Sequence, residues 1–76
     1  MRKAIDQDTL AALVATAAAR DFRAVRRGSN WMLETRVGGF WLPVRSRREP
    51  VRLWLSLTAL QRFAEGVGIR AMIVEW

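Results

Sequence analysis

The chain contains neither cysteine nor histidine. The first absence excludes disulfides and thiolate metal sites, and the second removes the commonest zinc ligand and the commonest general base. Lysine is nearly missing as well: Lys3 stands alone beside twelve arginines. No apolar run approaches the roughly 20 residues that cross a bilayer, and the longest weakly polar stretch, 10–19, is mostly alanine. Met1, Arg2 and Lys3 resemble the start of a secretory leader, but Asp6 and Asp8 fall where its apolar part should begin, so a cytoplasmic protein is expected.

These gaps leave little for catalysis. Asp6, Asp8, Asp21, Glu34, Glu49, Glu65 and Glu75 mostly fall at element ends and tips, and no spacing forces two carboxylates together. Ser29, Ser46 and Ser56 have no histidine to activate them, and a lysine base would have to be Lys3, near the terminus. Gly38-Gly39 lacks both the nucleotide-loop spacing and the lysine of a phosphate-binding loop. The expectation is no enzyme, no metal, no cofactor and no small-molecule substrate.

What is present is a single small domain, 1–76, with four tryptophans and a net charge of +6. A domain of this size buries roughly 60% of its unfolded surface, so a partner chain is a natural supplement to its core. Alternation and helical spacing divide it into seven elements. Leu10, Leu13, Val14, Ala17 and Ala18 follow a helical stripe over 6–19, with Asp6 as cap. A hairpin is predicted over 22–37, turning at Gly28, Ser29 and Asn30, with Trp31, Leu33, Thr35 and Val37 on one face. A third strand, 40–45, carries Pro43, which suits an edge.

The stretch 51–69 reads as a strand running directly into a helix. Val51, Leu53 and Leu55 alternate with Arg52 and Trp54; then Leu57, Leu60, Phe63, Ala64 and Val67 take helical spacing. Thr58 with Gln61 forms a capping box, or Ser56 caps with a Leu55–Leu60 staple. Gly68 supplies the left-handed exit. A last strand, 69–75, is apolar on both sides, as central or subunit-boundary strands are. The expected order is α-β-β-β-β-α-β, an α+β fold with two helices on one face of a mostly antiparallel four- to five-stranded sheet.

Arginine's planar fork suits phosphate and carboxylate and stacks on aromatic rings. Arg23, Arg26 and Arg27 flank the first turn, while Arg45, Arg47, Arg48 and Arg52 surround the tip RSRREP. Alternate turns of a meander emerge at one end, so the two groups can form a single rim, with Trp41 and Trp54 adding stacking surface. That rim would meet phosphates first, making nucleic acid or a nucleoprotein complex the expected partner. Two plainer readings stand beside it. Arginine-rich tips are solubility devices at sheet edges, and a G- and C-rich genome favours arginine over lysine. A different class of function is assembly: Met72, Val74 and Trp76 would then form an interface, most simply that of a homodimer, and the charge would be incidental.

The segments RAVRRGSNWMLETRVGG and LPVRSRREPVRLWLSLTALQRFAEGVGI, followed by a closing strand, resemble the small ParC-type proteins encoded near plasmid partition genes, which are unrelated to the topoisomerase subunit of that name. The shared pattern is a turn, a tryptophan and an alternating strand, as at 28–37, then a basic tip, an aromatic residue, a serine-led helix and Gly-Ile, as at 45–69. The resemblance covers most of the chain and implies an accessory role in plasmid or mobile-element maintenance. It carries no catalytic residues. This chain stops at Trp76, without the short tail of that group.

Overall fold

The computed structural model describes residues 4–76; Lys3 lies outside them. The elements are α1 (Gln7–Ala15), β1 (Phe22–Arg27), β2 (Asn30–Val37), β3 (Phe40–Pro43), α2 (Leu57–Gly66) and β4 (Ile73–Glu75). The strands order as β3-β2-β1-β4. The β1–β2 and β2–β3 pairs are antiparallel, and β4 runs parallel to β1. The fold is therefore α+β with two helices and a four-stranded sheet. The sheet is mixed, and the order is α-β-β-β-α-β, one strand short of expectation.

The missing strand is 51–56. Only Trp54 pairs, exchanging two hydrogen bonds of 2.8 Å with Trp31. Directly opposed residues share a face. Trp31 lies on the same side of the sheet as Ala24 and Leu33 by register, so Trp54 is forced inward with it. The expected alternation is inverted. Trp54 is 6% exposed and packs 5.1 Å from the Phe63 ring, while Leu55 is 86% exposed. The Leu55–Leu60 staple is therefore not made. Ser56 caps α2 by accepting from the Ala59 N–H at 3.1 Å, and Thr58 lies inside the helix rather than at its cap.

Asp6 caps α1, accepting from the Thr9 N–H at 2.7 Å. The helix stops at Ala15, four residues before the expected end. Ala17 turns left-handed (φ 57°), and the Ala17 and Ala18 N–H groups return to the carbonyls of Val14 and Leu13. This closure buries Ala19 and leaves Ala17 and Ala18 exposed, off the stripe the spacing predicts. α2 ends in the same bonding pattern, with Gly68 at φ 97° and the N–H groups of Gly68 and Ile69 returning to Glu65 and Ala64. Residues 69–72, expected in the last strand, precede β4, which is short and sits at the sheet edge rather than its centre.

The core is on one side. Leu10 from α1 and Leu60 and Ala64 from α2 cluster with Phe22, Ala24, Leu33, Val44, Trp54 and Ile69. Among the described residues the opposite face carries no helix.

Candidate nucleic-acid interface

On the helix-free face the register sets Arg23 opposite Glu34, and Glu34 opposite Pro43. Glu34 is 1% exposed, and its Oε1 accepts from Arg23 Nε at 2.6 Å. The same guanidinium lies 4.2 Å from the Trp41 ring centre and 3.7 Å from Glu75 Oε1. Arg23 thus touches a side chain from every other strand. It serves the sheet, and with it Trp41 is covered on one face.

The end of the sheet beyond this network is the basic one. The 45–51 loop closes through the Arg52 N–H donating to the Val44 carbonyl at 2.8 Å and the Ser46 N–H to that of Glu49 at 3.1 Å. The Glu49 N–H donates in turn to Ser46 Oγ at 3.0 Å. The closed loop stands beside the first hairpin turn because both lie at the same strand ends. A concavity of about 520 Å³ results, lined by Arg27, Arg45 and Arg48 with Glu34 and Glu49, and by the apolar surfaces of Met32, Pro43, Pro50 and Val51. Arg27 is steadied by donating from Nη1 to Met32 Sδ at 3.4 Å.

Arg45 also lines a second concavity of about 620 Å³, where Arg47 and Arg52 face Asp6 and Asp8. The Asp6 carboxyl is held below the ordinary carboxylate range, first by the Thr9 backbone N–H, then by the Thr9 side chain and by the nearby charge of Arg45. Two acids against three arginines make this second hollow close to balanced. The first hollow has the same count, three arginines against Glu34 and Glu49, but its Glu34 is already engaged by Arg23.

The nine candidate residues therefore separate. Arg27, Arg45 and Arg48 converge, and Arg47 and Arg52 join them through Arg45. Arg26 falls on the helix side by register and donates to the Gly28 carbonyl at 3.0 Å. Arg23 and Trp41 belong to the network across the strands. Trp54 is in the core with Arg52 4.7 Å above its ring, so it offers no stacking surface. Met72 and Val74 are half-buried beside the core, while Trp76 is 86% exposed.

Sequence reasoning missed the Arg23–Glu34 pair and the Met32 floor. A signal existed: a two-residue turn at Gly28-Ser29 pairs Arg27 with Asn30, and counting back from there sets Arg23 against Glu34.

Among the described residues no cluster of acidic groups is placed to hold a metal ion, and no helix is long and apolar enough to cross a membrane. No protein-family model, curated protein or solved structure matches the chain.

Proposed function

We propose that this chain is a non-enzymatic accessory binding module that holds nucleic acid, alone or within a nucleoprotein complex, by its phosphates at the arginine-lined end of the sheet. The observation that carries the reading is the convergence of Arg27, Arg45 and Arg48 on one hollow. Guanidinium forks from two chain segments can grip neighbouring phosphates, and nothing about that grip selects a base. The resemblance to ParC-type proteins supports a place in plasmid or mobile-element maintenance, with DNA as the nucleic acid.

Fluorescence anisotropy with a labelled DNA duplex tests this. Affinity is expected to fall steeply with salt, with a log–log slope reduced by about 2 to 3 when Arg27, Arg45 and Arg48 are all replaced by alanine, near 0.9 per lost phosphate contact. Arg62→Ala, exposed on α2, leaves binding as it was. A triple variant that binds as the parent does overturns the proposal.

A further inference from the structure

We infer that the outer edge of β4 is where a second copy of this chain adds, β4 antiparallel to β4, with Trp76 of each copy seated in the groove between α2 and β4 of the other. β4 pairs only with β1, so among the described residues its far edge carries unpaired backbone groups. The edge carries exposed apolar side chains: Ile73 is 58% exposed, and Trp76, directly after the strand, 86%. The strand's brevity blunts the edge for indiscriminate pairing, but neither a helix nor a loop among the described residues covers it.

The socket lies beside that edge. A groove of about 350 Å³ runs between α2 and β4, lined by Ala64, Glu65, Ile69, Arg70 and Met72. Val74 is the register partner of core-facing Ala24, so continued alternation carries Trp76, two positions on and one past the strand, to the helix side. A twofold axis normal to the sheet, midway between the two Ile73 residues, sets Ile73 opposite its own copy and carries Trp76, one residue past β4, toward Arg70 of the second copy. The indole then meets the Arg70 guanidinium at the mouth of the groove, with Glu65 available to its N–H.

Charge picks the occupant. The molecule carries +6, yet the groove sets one acid, Glu65, against one base, Arg70, while Glu75 on the other face is paired with Arg23. It has no excess positive charge to repel its copy or to draw in phosphate. Aromatic and socket flank the same edge of the sheet, which is the self-complementarity an isologous twofold interface requires. The inference is independent of nucleic-acid binding.

The test uses the full chain, which lacks cysteine. Sedimentation should give twice the chain mass at high micromolar concentration. Directly opposed Cα atoms in an antiparallel pair are about 4.5–5.5 Å apart, within the span of a disulfide. Oxidised Ile73→Cys is therefore expected to run as a covalent dimer. Ala71→Cys is not, because residues 71 of the two copies stand four strand positions apart. Trp76→Ala should weaken the dimer at least tenfold while leaving the far-ultraviolet spectrum unchanged. A monomer at all concentrations overturns the inference, as does cross-linking at 71 equal to that at 73, or a Trp76→Ala dimer as tight as the parent.

Discussion

Leu33 and Glu34 are neighbours on β2, both essentially buried, and they point to opposite faces of the sheet. Leu33 is buried by helices. Glu34 has no helix over it; one arginine laid across the strands and the 45–51 loop enclose it. The difference teaches that a sheet this small can close its second face with charge and rings instead of a layer. The two solutions fail differently. A packed face loses contacts in proportion to what is removed, whereas the ionic face punishes the loss of one partner through what is left behind.

The largest expected effect is on the packed face: Leu33→Ala should cost about 3–4 kcal/mol in urea denaturation. Arg23→Ala should cost about 3 kcal/mol, because a buried carboxylate loses its 2.6 Å partner. The sharper measurement is the double variant Arg23→Met with Glu34→Leu, which should recover most of that loss. If it does not, the open face depends on its ion pair for more than charge balance.

Smaller effects come from how the helices reach their face. Gly68→Ala should cost about 1–2 kcal/mol, since φ is 97° and a Cβ would meet Val14 Cγ1 at 3.2 Å. Ala17→Gly should do the reverse and stabilise by about 1 kcal/mol, because α1 makes the same closure with a residue that resists it. Thermal or urea unfolding of the two variants gives both signs.

The smallest effect is a pH dependence. The Asp6 carboxyl titrates lower in the folded chain than in the unfolded one. Between those two pKa values the unfolded state holds more proton, so the cap's contribution is complete above the ordinary carboxylate pKa of about 3.9 and is lost as pH falls through the folded value. The stability difference between the parent and Asp6→Asn should shrink along that acid limb.

The legible parts of the fold were those fixed by local chemistry. Asp6 accepts the bond a helix start offers, Gly68 fits a left-handed exit, and Gly28-Ser29 between alternating runs makes a hairpin. What stayed hidden depends on which strand lies beside which. Periodicity assigned Leu53 and Leu55 to the interior, but the pairing of Trp54 with Trp31 decided that side, and no period in 51–56 encodes it. α1 gave no notice of its end because alanine at position 17 reads as more helix. At the basic end, the meeting of Arg27 with Arg45 and Arg48 follows from turn positions. The withdrawal of Arg23 into the sheet needs the hairpin register, and that of Trp54 needs a long-range pair.

The parallel pairing of β4 with β1 has a consequence for the order of assembly. Arg23 and Ile73, partners in that ladder, are fifty positions apart, whereas β1, β2 and β3 meet through two-residue turns. Closing the long loop is entropically the slower step, so the meander forms with one flank of β1 bare. Until 73–75 docks, Glu75 is absent from Arg23 and the flank of β1 beside the core is open to any passing chain, which makes the partly folded meander the state most vulnerable to aggregation.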